Sequence, residues 1–289
     1  NQSHALFNMG SVVSLGAGNT LSNSGNLTIG GAGAVMQTQL TGNLNLSANS
    51  IIGYDLGSAD TVGGPLNDLL SISGNLTLDG YVRVAQSPGG NFTKGVYRLM
   101  NYGGSLVDNG LSILGPLPNS LSGTIQTAIA GQVNLIFLDT PTIDIAYWDG
   151  PHVTPGDIPG GRGGTAVWNS PTNWTTAPGN ANSVWDSGVG VFAGTNGTVT
   201  VEGTQYFVGL QFVTDDYLLQ AGSGGALDLG TGGFVYVDSG LTNTTMSVGI
   251  GGDGALQKQG DGRLVLSGTN LHQGGTVIQA GTLAAWRDN

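Results

Sequence analysis

A chain of 289 residues with 39% hydrophobic side chains is long enough to bury a sizeable core. Its formal net charge of −11, with only seven Lys and Arg residues, disfavours nucleic acid and anionic lipid as partners, since both require clustered cations. Cysteine is absent, which excludes disulfides and thiolate metal sites. The sequence shows neither an apolar run of about 20 residues nor a signal sequence, so we expect a soluble fragment or a mature segment, without direct membrane insertion.

The first predicted elements are strands that follow a recurring motif, a glycine and then alternating apolar residues. Its clearest copies occupy residues 25–29, 42–46 and 74–78. Strand side chains alternate between two faces, so the apolar residues of each copy are predicted to point inward. These residues are Leu27, Ile29, Leu44, Leu46, Leu76 and Leu78. The copies are spaced by 17 and 32 residues, which we interpret as about one and two coils of a solenoid.

Looser copies of the same motif continue through the second half of the chain. Their inward residues are predicted to be Leu227, Leu229, Leu256, Leu264 and Leu266. Helical periodicity is absent, and the 53 glycines interrupt most candidate helical turns. Sandwiches and propellers have other repeat lengths. The pattern therefore predicts an all-β fold, a right-handed parallel β-helix, or solenoid.

Composition changes between residues 141 and 185, where six of the ten prolines and four of the five tryptophans lie. Proline cannot donate to a central β-ladder, so this Pro/Trp-rich segment is predicted to be a loop or excursion that leaves the β-helix. The prolines are Pro141, Pro151, Pro155, Pro159, Pro171 and Pro178. The predicted organisation is a β-helix segment at 1–140, the excursion at 141–185 and a second β-helix segment at 186–289.

The aromatic residues of this segment have two interpretations. Trp148, Trp168, Trp174 and Trp185, with Tyr147, either anchor the excursion to the β-helix wall or form an exposed platform for sugar rings or a protein partner. Anchoring is favoured, because a Pro/Gly-rich loop needs apolar contacts to be ordered. The sequence does not assign binding residues.

The three histidines, His4, His152 and His272, are isolated and form no metal-binding motif. A Ser-His-Asp triad could be assembled from His152, Asp157 and a serine, but no Gly-x-Ser-x-Gly elbow accompanies them. An exposed loop histidine is therefore the preferred interpretation of His152.

Three further sequence patterns could indicate a functional site. The adjacent pair Asp215 and Asp216 fits a solvated turn better than a catalytic pair, because neighbouring strand residues face opposite sides. Residues 249–254 match the GxGxxG motif. We interpret this match as chance, because no helix is predicted to follow it. Asp253 and Asp261 lie in one copy of a calcium-repeat-like pattern, where tandem copies are required. We expect no catalytic residues, no metal and no cofactor.

Residues 254–283, with glycine turns around Leu256, Leu264 and Leu266, closely resemble the passenger-associated strand repeat of Gram-negative autotransporters. In that repeat Val277 and Leu283 would fill the next coil of the core. The run from residue 149 to 212 and the strand-rich half at the start of the chain are also similar to passenger sequences.

The resemblance implies a parent protein with a signal peptide, a secreted β-helical passenger and a C-terminal translocator barrel. Such passengers are commonly adhesins that attach to a host cell-surface or matrix component, protein or glycan, or to one another. We therefore expect an adhesin on the bacterial cell surface, or secreted, without enzyme activity. The alternatives are a passive β-helical stalk that presents a distal domain and a polysaccharide-degrading enzyme, for which basic partner residues are scarce.

Overall fold

The fold is all-β, as predicted. The computed structural model describes residues 1–2, 4–59, 61–118, 122–138 and 144–286, and these residues contain no α-helix. No helix in these ranges is long and apolar enough to cross a membrane. The chain divides into two compact units, Asn1–Thr142 and Ile143–Asn289.

The first unit is a three-sided parallel β-helix. Its sheets have the strand orders β1-β4-β7-β10-β13, β2-β5-β8-β11-β15-β14 and β3-β6-β9-β12. The strands are β1 Leu6–Met9, β2 Val12–Ser14, β3 Thr20–Asn23, β4 Asn26–Ile29, β5 Gln37–Thr41, β6 Asn43–Leu46, β7 Ile51–Leu56, β8 Leu69–Ile72, β9 Leu76–Leu78, β10 Tyr81–Gln86, β11 Gly95–Tyr102, β12 Leu106–Asp108, β13 Ser112–Ile113, β14 Ser122–Gln126 and β15 Gln132–Leu138.

Successive coils place one strand in each sheet, so that equivalent residues stack. Leu27 of β4 lies between Phe7 of β1 and Ile52 of β7 in parallel register. The six motif residues from Leu27 to Leu78 are all buried, which confirms that they point inward. Among the described strands of this unit, only β15 runs antiparallel to its neighbours, β11 and β14. Because each coil buries its apolar side chains against the next, the stack forms one continuous core.

The interpretation of the motif spacing was wrong. Leu44 and Leu76 are direct partners in adjacent strands, so 32 residues make one coil rather than two. Leu27 and Leu44 lie 17 residues apart on different sheets of the same coil. The error arises because the connections between strands vary in length while the strands keep their register.

The second unit is also a parallel β-helix. Its sheets have the orders β19-β18-β16-β20-β23-β26-β29-β31, β17-β21-β24-β27-β30-β32 and β22-β25-β28. The strands are β16 Ile145–Trp148, β17 Ala166–Val167, β18 Trp174–Thr175, β19 Asn182–Ser183, β20 Val189–Phe192, β21 Thr198–Val201, β22 Thr204–Tyr206, β23 Gly209–Phe212, β24 Leu218–Ala221, β25 Ala226–Asp228, β26 Gly232–Val237, β27 Thr244–Met246, β28 Ile250–Gly251, β29 Ala255–Gln259, β30 Arg263–Leu266, β31 Thr276–Ile278 and β32 Thr282–Ala285.

The core of this unit is a stack of inward-facing side chains that begins with aromatic residues. The rings of Phe192 and Phe212, partners in β20 and β23, stack at 4.8 Å, and Val237 continues the ladder in β26. The predicted inward leucines are all buried, which confirms the alternation in this half as well: Leu227, Leu229, Leu256, Leu264 and Leu266.

The last coil departs from the prediction. Leu283 is partly buried and packs against the core, whereas Val277 is 50% exposed, so the expectation that Val277 fills the core is wrong. Strand β31 pairs with β29 on one side, and within the described residues no strand pairs with its other side. Val277 is the register partner of Gln257, whose neighbours Leu256 and Lys258 are the buried residues, so Val277 lies on the outward side of its strand.

The Pro/Trp-rich segment contributes strands as well as loops. Strand β16 is parallel to β20, while β18 and β19 form an antiparallel hairpin on its other side. Pro141 and the predicted boundary between residues 140 and 141 lie outside the described residues.

Candidate functional site

The most site-like feature of the second unit is a surface pocket of about 550 Å³ beside the β18–β19 hairpin. Strand β16 supplies one wall, the hairpin a second, and the segment that leads into β20 the third. We call it the Trp185 pocket; it is lined by Asp144, Ile145, Ala146, Pro171, Thr175, Thr176, Asn182, Ser183, Val184, Trp185, Asp186 and Gly188. Its volume falls in the range of about 300–1,000 Å³ that is usual for small-ligand pockets.

Trp185 is held in a fixed position on the pocket wall. Its indole Nε1 donates a hydrogen bond to the Tyr206 carbonyl at 2.8 Å. Its ring lies 4.8 Å from the ring of Trp174 and 4.9 Å from that of Trp168. Trp185 remains half-buried, so part of its ring is available to a ligand. A ring fixed in this way loses little conformational entropy on binding.

The other three tryptophans belong to the core of the unit. Trp148, Trp168 and Trp174 are fully buried, and Tyr147 is buried beside them. Trp148 Nε1 donates to the Gly164 carbonyl, which ties the Pro/Trp-rich segment to β16. These three rings therefore anchor the segment, and an exposed platform made of all four tryptophans is excluded.

The polar groups of the pocket are hydrogen-bond acceptors and hydroxyls. The carboxylates of Asp144 and Asp186 are exposed, and neither has a hydrogen-bond or ion-pair partner among the described residues. Asn182 is held in place because its Nδ2 donates to the Val153 carbonyl at 2.8 Å. Thr176 adds a hydroxyl. Among the described residues, no Lys, Arg or His lines the pocket, so the charge of its described lining is negative.

Sequence reasoning reached the tryptophan cluster but missed the two carboxylates. Asp186 follows Trp185 directly, and this adjacency in a Pro/Gly-rich segment was a usable signal. Asp144 could not be found in this way, because it reaches the pocket only through the pairing of β16 with β20.

The first unit carries a second cavity, an apolar groove of about 330 Å³ over β1, β4, β7 and β10. Leu6, Ile51 and Ala85 contribute to its lining. The Asp55 carboxylate at the groove accepts a hydrogen bond from the Gly33 amide at 2.7 Å and is therefore already engaged. The groove lining is mostly apolar, although it includes the Arg83 side chain and the buried Tyr54 hydroxyl, which lacks a hydrogen-bond partner among the described residues. The Trp185 pocket has more polar groups on its walls and is the stronger candidate.

The first unit also contains a buried acid, Asp68. Its carboxylate accepts from the amides of Met36 at 2.6 Å and Asp55 at 2.7 Å. Burial raises the pKa of Asp68 to about 7, with a smaller contribution from the Asp55 carboxylate, although the two amides act in the opposite direction. These bonds tie three separate chain segments together, which indicates a structural role.

The histidines considered from sequence do not assemble a catalytic group. No hydrogen bond joins His152 to Asp157 or to a serine within the described residues. Among the described residues, the hydrogen-bond partner of the His272 ring is Thr276, with 2.8 Å between Nε2 and Oγ1. The described part of the chain also contains no group of three or more potential metal ligands.

The acid pair lies in the connection between β23 and β24. Asp216 is exposed, and Asp215 accepts hydrogen bonds from the amides of Thr242 and Asn243. Burial would raise the pKa of Asp215, but the bonds from Asn243 and Thr242 outweigh it and lower the pKa. Asp215 therefore links neighbouring coils.

The glycine-rich residues 249–254 include β28, and among the described residues no α-helix follows them. A phosphate-binding loop of the GxGxxG kind needs the amino end of such a helix. The position of these residues in a short strand is that of a coil of the β-helix.

Comparison with known proteins agrees with this architecture. Residues 256–285 match the family described as passenger-associated-transport-repeat. The chain is 42% identical over 288 residues to the adhesin BmaC autotransporter of Brucella suis biovar 1 (strain 1330), a match that covers 94% of this chain. The chain spans about 8% of the length of that relative. No solved structure matches significantly. Together with the parallel β-helix, these matches identify the chain as part of an autotransporter passenger domain.

Proposed function

We propose that this passenger segment takes part directly in adhesion. In this proposal it is exposed on the bacterial outer surface or secreted, and it attaches the bacterium to a host-cell or matrix component. The observation that carries the proposal is the match to an adhesin, which extends through both units rather than through the short repeat alone. In the parent protein, a signal peptide and a C-terminal translocator barrel would export the passenger.

A non-enzymatic role is part of the same proposal. It is supported by the adhesin relative. Binding requires only complementary surfaces, whereas proton transfer requires a positioned acid and base.

Attachment of coated beads tests this proposal. Beads covered with the chain at increasing density are incubated with cultured host cells, and beads covered with albumin serve as the control. We expect attachment that rises with density and is inhibited by excess soluble chain. Attachment equal to the albumin control at saturating density would overturn the proposal and favour a passive stalk.

Self-association is a second mode of adhesion that the β-helix supports, because polar ladders on its outer faces can pair between copies. An example is the contact of 2.5 Å between Thr28 Oγ1 and Asn8 Oδ1 on neighbouring strands. Sedimentation velocity at rising protein concentration tests it. A strict monomer at the highest concentration would contradict this mode without affecting attachment to host cells.

A further inference from the structure

We infer that the Trp185 pocket binds a glycan that carries no anionic group, an assignment that rests on the proposed adhesive function. The juxtaposition that carries it is one fixed, half-buried indole beside two unpartnered carboxylates, in a pocket of about 550 Å³.

The aromatic wall fits a sugar ring. One face of a pyranose is apolar, and it packs on an indole by the same contact that buries other apolar surfaces. The hydrogen bond from Trp185 to Tyr206 and the packing on Trp168 and Trp174 fix the orientation of the ring before a ligand arrives. The ligand therefore meets a preorganised platform.

The carboxylates fit the hydroxyl groups of a sugar. An ionised carboxylate only accepts hydrogen bonds, and it can bind two neighbouring hydroxyls at once. Hydrogen bonds to a charged acceptor are roughly twice as strong as neutral ones. Asp144 and Asp186 are free to accept, and the Thr176 hydroxyl can accept or donate.

The charge of the pocket decides which glycans are accepted. Asp144 and Asp186 both carry a negative charge, and none of the other described residues of the lining carries a positive one. The whole chain has a formal net charge of −11. A sialylated or sulfated sugar would bring a second negative charge into this site and be repelled. Unsubstituted hexose and N-acetylhexosamine units are not repelled in this way.

A cationic peptide is the competing class of ligand, because aromatic rings and carboxylates also attract ammonium groups. Aromatic cages for such groups surround the cation with several ring faces. Here the neighbouring Trp168 and Trp174 are fully buried, and within the described part of the lining Trp185 is the single aromatic ring. A single ring with two flanking acceptors favours the sugar.

The test uses the whole chain on an array of neutral, sialylated and sulfated oligosaccharides, followed by calorimetric titration with the neutral ones that bind. We expect binding to neutral glycans and none to anionic ones. The double variant Asp144→Asn/Asp186→Asn should bind at least about tenfold more weakly. The variant Asp216→Asn changes an exposed acid outside the pocket and should bind as the unmodified chain does.

Three results would overturn the assignment: no neutral glycan binds, the double variant binds with unchanged affinity, or a lysine-rich peptide binds in a manner that depends on Asp144 and Asp186. Bead attachment to host cells separates this assignment from the proposed function. Attachment that persists when no glycan binds refutes only the pocket ligand, whereas glycan binding without attachment refutes only adhesion.

Discussion

Asp149 and Arg162 form a two-point ion pair that closes a loop of the Pro/Trp-rich segment. Arg162 Nη2 lies 2.8 Å from Asp149 Oδ2, and Arg162 Nε lies 3.1 Å from Asp149 Oδ1. The amide of Arg162 donates to the same carboxylate at 2.8 Å, and Nη2 also donates to the Thr154 carbonyl at 2.6 Å. The hydrogen bond with Asp149 raises the pKa of Arg162. Both ends of the loop are therefore fixed next to β16.

Arg162→Lys should loosen this loop while keeping its charge. Lysine cannot reproduce the planar two-point contact, so residues 150–161 should become more accessible to protease, and the free energy of unfolding should fall by about 1–2 kcal/mol. Limited proteolysis read by mass spectrometry measures the first effect. Arg263→Lys, which changes a side chain with one contact to the Thr242 carbonyl, is the control. Equal cleavage rates in both variants would contradict the role of the ion pair.

Leu27→Ala should destabilise the first unit strongly. Leu27 is fully buried between Phe7 and Ile52, so its truncation leaves a cavity and should cost about 2–5 kcal/mol. Leu6→Ala in β1 removes the same atoms from a side chain that is 63% exposed and should cost less than about 0.5 kcal/mol. Urea unfolding of both variants checks the difference. Similar costs would refute the inward orientation of the motif.

Gly260→Ala should cost more than Gly240→Ala. Both glycines have a positive φ, +72° and +84°, so alanine is strained at each by about 1–2 kcal/mol. A Cβ at Gly260 would also overlap the Val237 carbonyl, while a Cβ at Gly240 would meet no heavy atom within 4 Å. Thermal unfolding of the pair isolates the cost of crowding between coils. A similar melting temperature for the two variants would show that the coils separate easily.

Asp68 should make the first unit less stable as pH rises. Its pKa is about 7 in the folded chain and close to 3.8 when unfolded, so the folded state holds an extra proton between these values. The stabilisation is complete below about pH 4 and is lost as pH rises through 7. Asp68→Asn should flatten this dependence, whereas Asp79→Asn in the same unit should retain it. Urea midpoints at several pH values between 4 and 8 provide the measurement, and an equal slope for Asp68→Asn and the unmodified chain would refute the assignment.

The alternation of apolar residues was sufficient to predict the fold. Leu44 and Leu46, or Leu264 and Leu266, point inward because strand geometry has a period of two, whatever the rest of the chain does. The number of residues in each coil was not predictable in this way. Leu44 stacks on Leu76 rather than on Leu27 because connections can lengthen without moving the strands that they join.

The candidate site, like the fold, was predictable from the sequence only in part. Composition marked the segment that holds the tryptophans, but it did not distinguish Trp174, which is buried, from Trp185, which lines a pocket. Side-chain exposure depends on which strands flank the ring, and Asp144 joins the pocket through such a strand pairing. Contacts between residues far apart in sequence are set by packing, which local patterns do not encode.

Lys258 shows which features the sequence determines and which features only the tertiary structure decides. The sequence by itself determined its side of strand β29, because alternation places it on the same face as Leu256. Only the tertiary structure could decide that a cation is tolerated there: Nζ donates to the Gln259 carbonyl at 2.8 Å and the Gly260 carbonyl at 2.7 Å, while burial lowers the pKa of Lys258 to about 8. Desolvation of an ammonium group is offset by carbonyls that the turn between coils brings together, and no strand pattern specifies where that turn points.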